Sequence, residues 1–250
     1  MDSSARQARV AELARQLKLP TLTAYYDITD QLPPAATLAE CLIALLEREL
    51  EQRRCNRARR LERQAGFPFA KTLDELDVSC YAGQLSALML AELGSCAFVS
   101  RRRNLLITGG TGRGKTHLAI GLGLKACAAG KKVLFRTARN LVTQLRDESD
   151  PCVRERLWQR LRRCELLIID ELGYVRFDRE ESELLYQVVA ERCERGSIIV
   201  TASLAPSAWT QCLADAALVE AMLDRLCHEV IRLDLQGPSW RLEQARRAAD

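Results

Sequence analysis

Apolar positions in residues 1 to about 100 recur at helical spacing, with breaks at Pro20, at Pro33-Pro34 and at Gly66-Phe67-Pro68. No β-run interrupts them, which predicts an all-helical N-terminal domain. Its longest element opens at Thr37, whose hydroxyl caps a helix while Glu40 returns the bond, and Leu38, Leu42, Leu45, Leu46 and Leu50 then form one apolar face. The periodicity carries this helix to Ala65. A second Thr-x-x-Glu pair, Thr72 with Glu75, opens a short helix, and Gln84 to Leu93 forms another before Arg101 to Arg103.

From Asn104 the pattern changes to short apolar runs separated by amphipathic stretches. NLLIT (104–108), KVLFRT (132–137), LLIID (166–170), SIIVT (197–201) and EVIRL (229–233) read as buried parallel strands, each gap long enough for a crossover helix. The predicted class is α/β, a parallel sheet flanked by helices and preceded by the helical domain. We draw the division at residues 1–80 and 81–250.

Composition narrows the picture little. At 250 residues and 48% hydrophobic content the chain can bury a full core, and no apolar run reaches membrane-spanning length, so a cytoplasmic location with no membrane partner is expected. Ten scattered cysteines without a CxxC pair, and only two histidines, His117 and His228, exclude a zinc ribbon of usual spacing. The formal net charge of +4 makes clustering, not total charge, the informative quantity.

The sharpest motif is Gly109-Gly110-Thr111-Gly112-Arg113-Gly114-Lys115-Thr116, which fits GxxxxGK[ST] between a strand and a helix, with His117 next. Such a loop turns backbone N–H groups around phosphate, with the helix N-terminus adding its dipole. Lys115 is placed for the β- and γ-phosphates of ATP and Thr116 for Mg²⁺. Asp170 and Glu171 end an apolar strand; beside a P-loop they read as the magnesium acid and the acid that polarises the attacking water, and alone they would be solvated strand-end charges. Thr201 and Ser203 follow another strand, where their hydroxyls either reach the γ-phosphate or cap a turn. Arg225 lies on an amphipathic helix with no evident local need for its charge, unless it pairs with Asp224 or Glu229.

GGTGRGKTHLAIGLG, LLIIDELGYVRFD, SIIVTASLAPSAW and AMLDRLCHEVIRL, in that order, resemble the IstB-like transposition helper ATPases of insertion sequences, relatives of bacterial helicase loaders. LKLPTLTAYY, the segment ERELEQRRCNRARRLERQAGFPFAKTLDELD, and WRL near the end extend the likeness over nearly the whole chain. The resemblance implies a P-loop AAA+ fold and an ATP-hydrolysing homo-oligomer that assembles on duplex DNA and presents it to a transposase. It implies further that Arg225 is an arginine finger completing a neighbouring subunit's site, and that Arg241 senses nucleotide in cis. Where the family usually reads TSNL, this chain has Thr201-Ala202-Ser203-Leu204; Ser203 is shorter and offers one donor where an amide offers two, which implies γ-phosphate sensing either weakened at Ser203 or passed to Thr201. A replicative helicase loader and a non-hydrolysing DNA scaffold are the rival readings.

Six arginines fall between Arg53 and Arg63 against the single acid Glu62. Arg53, Arg57 and Arg60 share one helix face, with Arg54 beside them, and such a stripe is either a solvated surface or a phosphate-binding one without sequence preference. The resemblance favours DNA. Arg154, Arg156, Arg160, Arg162 and Arg163 form a second candidate, on an amphipathic helix whose Leu157, Trp158 and Leu161 face a core.

Overall fold

The structure is a computed structural model describing residues 3–33, 35–81, 85–147, 149–237 and 239–240. Two compact units divide it, Met1–Arg59 and Arg60–Asp250.

The first unit carries α1 (Ser3–Gln16), α2 (Tyr25–Thr29) and most of α3 (Leu38–Ala65). The expected capping box opens α3: Thr37 N–H donates to Glu40 at 2.7 Å and Glu40 N–H returns to the Thr37 hydroxyl at 3.3 Å. The Thr37 N–H and the Thr37 hydroxyl, at 2.8 Å, both donate to the Glu40 carboxylate and hold it below its ordinary range. The leucine face of α3 is mostly open. Leu45 is buried, whereas Leu38 is 77% exposed and Leu42, Leu46 and Leu50 are about half exposed. In place of a leucine, Glu49 is buried there, accepting the Thr21 amide at 3.2 Å, the Thr21 hydroxyl, and Arg53 Nε at 2.7 Å.

The second unit contains α4 (Ala87–Gly94), α5 (Ala97–Ser100), β1 (Leu105–Gly109), α6 (Lys115–Ala128), β2 (Val133–Thr137), α7 (Ala138–Arg146), α8 (Pro151–Arg163), β3 (Leu166–Leu172), α9 (Arg179–Arg192), β4 (Ser197–Ala202), α10 (Ala216–Cys227) and β5 (Ile231–Leu235). The strands form one all-parallel sheet in the order β2-β3-β4-β1-β5. Alternate residues feed two cores. Leu105, Ile107, Leu166, Ile168 and Ile199 pack with α6 on one face, while Leu106, Leu167, Ile169, Ile198 and Val200 pack with α7 to α10 on the other. Strands buried on both faces have no polar alternation to display, which is why they read as continuous apolar runs.

Three sequence expectations shift. The last strand begins at Ile231, two residues later than expected, because Glu229 adopts left-handed φ of 52° and the ladder starts where Ile231 N–H meets Asn104 O at 2.9 Å. Thr72 and Glu75 do form a capping box, over a single 3-10 turn, Leu73–Glu75. The helix expected from Gln84 starts at Ala87, capped by the Ser86 hydroxyl, and Gln84 itself lies outside the described residues.

The segment ahead of α4 packs on the sheet unit. Leu73, Leu76, Tyr81 and Leu85 are buried in the core that contains Leu118 and Ile120 of α6. A Cβ at Gly123 of α6 would sit 2.7 Å from the Phe67 ring and 2.9 Å from Ile168, so glycine there lets helix, linker and sheet close together.

Candidate functional site

The parallel sheet turns the carboxyl ends of β1, β3 and β4 to one edge, the edge at which open α/β sheets carry their chemistry. Chain departs from β1 at Gly109, loops through Gly114 and enters α6 at Lys115. Gly114 has φ of 74°, and the Tyr81 hydroxyl occupies the space a Cβ would need. No side chain caps α6, so its first amides are available to an anion.

Lys115 is 5% exposed, and its Nζ donates to Gly109 O and Gly110 O, each at 2.8 Å. The ammonium is thereby folded over the loop. Thr116 Oγ1 donates toward both carboxylate oxygens of Asp170, at 3.0 and 3.1 Å. Asp170 is 2% exposed and also accepts from the Thr201 hydroxyl, which in turn accepts the Glu171 N–H at 3.0 Å. One threonine therefore fixes two consecutive acids at the end of β3.

Between Ile169 and Leu172 the β3–β4 register slips, and Glu171 takes a left-handed φ of 63°. Such a conformation costs a non-glycine residue stability and concentrates at functional sites. It turns Asp170 inward and leaves Glu171 exposed at the cleft. A hydroxyl and a carboxylate converging at Thr116 and Asp170 form an all-oxygen donor set, the chemistry a hard divalent cation such as Mg²⁺ requires.

The cleft brings together Thr111, Gly112, Arg113, Gly114, Lys115, Thr116, His117, Glu171 and Thr201. His117 Nε2 lies 2.7 Å from Thr72 O, and Arg113 reaches Leu235 O at 3.2 Å. Ser203 is absent from the lining; its hydroxyl lies over Gly173, 3.1 Å from where a Cβ would be, and its N–H donates to Leu172 O at 3.2 Å. Arg225 is elsewhere too. It stacks 4.9 Å from the Tyr186 ring and shares a groove with Arg101, Arg102 and His228, by the amino ends of β1 and β4, across the sheet from the loop. Arg241 lies outside the described residues; Trp240 just before it donates its N–H to Gly112 O at 3.1 Å.

Among the lining residues that the sequence reading did not single out are Leu76, Tyr81, Tyr174 and Trp240. Tyr174 Oη is 3.3 Å from Thr111 Oγ1, and Lys115 Nζ lies 6.0 Å from its ring centre, so it covers the loop. Leu76, Tyr81 and Trp240 add aromatic and apolar surface to the cleft, the kind a purine base would need. In the basic stripe, all four of Arg53, Arg54, Arg57 and Arg60 are exposed. Arg53 is held by Glu49 and by Lys18 O at 2.7 Å, and Arg54 is 3.9 Å from Glu51.

A family model described as IstB-like ATP binding protein matches residues 12–248. The ATP-binding protein of insertion sequence IS5376 from Geobacillus stearothermophilus is 33% identical over 240 residues, 95% of each chain. That of IS21 from Pseudomonas aeruginosa is 38% identical over 186 residues, 74% of this chain and 70% of the relative. Among solved structures, AMPPCP-bound DnaA from Aquifex aeolicus superposes with a TM-score of 0.56 at 16% identity, over 71% of this chain and 54% of DnaA. DnaI gives 0.54 at 17% identity, over 72% of this chain and 92% of DnaI. At such identities the two structures share the fold, the P-loop AAA+ sheet flanked by helices.

Proposed function

Because the chain belongs to the IstB-like ATP-binding proteins of insertion sequences, and is a transposition-associated ATPase, we propose that its ATP-bound copies associate on duplex DNA and deliver that DNA to a transposase. The observation that carries this reading is the meeting of Lys115, Thr116, Asp170, Glu171 and Thr201 at one sheet edge, where loop, metal-type donors and a water-facing acid share one cleft.

The roles follow from that geometry. Backbone amides from Gly109 to His117 cradle the phosphates of ATP, with Lys115 exchanging its two carbonyl partners for phosphate oxygens. Thr116 and Asp170 hold Mg²⁺, which when bound supplies the positive charge that offsets charge building on the phosphoryl oxygens. Glu171, exposed on its strained backbone, orients the attacking water, and Thr201 keeps it in place through its N–H. Thr201 takes the γ-phosphate sensing role ahead of Ser203, since Thr201 lines the cleft.

Arg225 is too far round the sheet to serve its own loop, so its guanidinium acts on a neighbouring copy, and ATP becomes the switch for assembly. Arg241 is assigned to nucleotide sensing in cis. In functional terms residues 81–250 carry ATP hydrolysis and residues 1–80 carry contacts to DNA and partner, Arg53, Arg54, Arg57 and Arg60 meeting phosphates without reading sequence.

Phosphate release with and without duplex DNA, and of mixed variants, tests the reading. Arg225→Ala should bind ATP normally yet lose hydrolysis by about 10³-fold or more. Mixing it with Glu171→Gln should restore part of the rate, because an intact finger then faces an intact acid across some interfaces. Normal turnover by Arg225→Ala alone would sink the assignment in trans.

A further inference from the structure

Helix α8 is built to bury one side and charge the next. Leu157 and Leu161 enter the core, while Arg156, Arg160 and Arg163, at i, i+4 and i+7, form an exposed row. The end of α3 does the same from the other side: Leu61 and Ala65 are buried and Arg63 is exposed. The two elements meet along a groove, with Lys132 at the entry to β2, so that Arg63, Lys132, Arg156, Arg160 and Arg163 all line it. Arg160 fixes the meeting by donating to Gln64 O at 2.8 Å.

Three features separate this groove from an ordinary charged surface. First, none of its described lining residues is acidic. Of the carboxylates near it, Glu155 pairs with Arg162 at 2.5 Å, and Glu165 pairs with Lys131 at 3.0 Å and accepts the Lys132 N–H at 3.1 Å. Second, Arg156 and Arg163 make no hydrogen bond or ion pair among the described residues. Third, the Arg136 guanidinium is held below its ordinary value chiefly by burial, with the charge of Arg160 adding to it. The like charges of Arg156, Arg160 and Arg163 repel one another, and an external polyanion removes that cost.

We propose that this groove takes the phosphodiester backbone of duplex DNA, as a second contact region carried by the ATPase unit and distinct from the Arg53 to Arg60 stripe. The inference rests on the DNA-binding reading above. Phosphodiester suits it better than an acidic protein surface. The apolar lining residues Leu61, Val133, Leu134 and Cys164 are all buried, so the polar groups the groove offers a ligand are its cations and the side-chain amides of Gln64 and Gln159. Guanidinium groups take phosphate bidentately, and a row at one-turn spacing can follow a strand without reading bases. The groove lies at the amino ends of β2 and β3, away from the loop after β1, so its loss leaves the ATP cleft intact.

The test is fluorescence anisotropy of a labelled mixed-sequence duplex with ATP and Mg²⁺, between about 50 and 200 mM salt. Arg156→Ala with Arg163→Ala should weaken binding roughly ten- to thirty-fold near physiological salt and reduce the slope of log affinity against log salt by about 1.8, two phosphate contacts at about 0.9 each. Circular dichroism and DNA-free ATP hydrolysis should be unchanged. Arg156→Lys with Arg163→Lys should keep most of the slope, and Arg162→Ala, on the same helix but outside the groove, should keep all of it. An unaltered slope in the double alanine variant, with wild-type DNA binding intact, overturns the groove alone. Loss of binding to a poly-glutamate peptide with DNA affinity retained overturns it in favour of an acidic protein partner. Absence of DNA binding by the wild-type chain under hydrolysing conditions overturns groove and parent reading together.

Discussion

Thr201 illustrates what a single residue contributes here. Its hydroxyl donates to Asp170 and accepts from Glu171, so Thr201→Val removes one of the two hydroxyls bonded to the buried Asp170 carboxylate and frees the backbone that holds the water-facing acid. We expect hydrolysis to fall about tenfold or more, with ATP affinity much less affected, while Ser203→Ala leaves phosphate release near wild type because its hydroxyl faces Gly173. Equal losses in the two variants would reverse the ranking. The loop from Gly109 to Thr116 was legible in the sequence because all its chemistry lies in one contiguous stretch. Tyr174 and Tyr81 were not, and Thr201 stood only as one of two candidate hydroxyls, since what matters about them is contact made across 30 or more residues: Thr201 with Asp170, Tyr174 with Thr111, Tyr81 with Gly114. No local pattern encodes such distances.

Elements announced themselves where their own residues satisfy their ends. Both Thr-x-x-Glu boxes form, and α3 runs to Ala65 as its periodicity predicted. Burial of a helix face was less legible: the leucine row from Leu38 to Leu50 is largely exposed, and the buried neighbour is Glu49. Periodicity reveals that a face exists, not what lies against it. Burial pushes the Glu49 carboxyl up, but bonds from Thr21 and Arg53 outweigh that and bring it below its ordinary range. A depressed carboxylate stabilises fully above its unfolded value of about 4.3 and loses that contribution as pH falls through the lower folded value. Glu49→Gln should therefore destabilise the first unit by roughly 1–3 kcal/mol near neutral pH. The gap from wild type should close below about pH 4. Thermal melts across that range check it, and a gap independent of pH would show that the charge is immaterial.

At the scale of the whole molecule, the sheet separates two sets of functional groups. The carboxyl ends of β1, β3 and β4 gather the ATP cleft, whereas Arg225 and the α3–α8 groove lie by amino ends of strands. That polarity suits the proposed assembly, in which a copy would show its nucleotide to one neighbour and its arginine to another. The class and strand set were readable because parallel strands buried on both faces leave uninterrupted apolar runs; the α3–α8 groove was not, because it is assembled from helices about 90 residues apart. Every role assigned above depends on one cleft holding Mg-ATP through Lys115, Thr116 and Asp170. Calorimetric titration with ATP, in Mg²⁺ and then in EDTA, measures that directly for the wild type, Lys115→Ala and Asp170→Asn. The account predicts tight binding by the wild type in Mg²⁺, no binding by Lys115→Ala, and an affinity for Asp170→Asn that no longer responds to EDTA. Wild-type affinity in Lys115→Ala, or an undiminished Mg²⁺ response in Asp170→Asn, would contradict it.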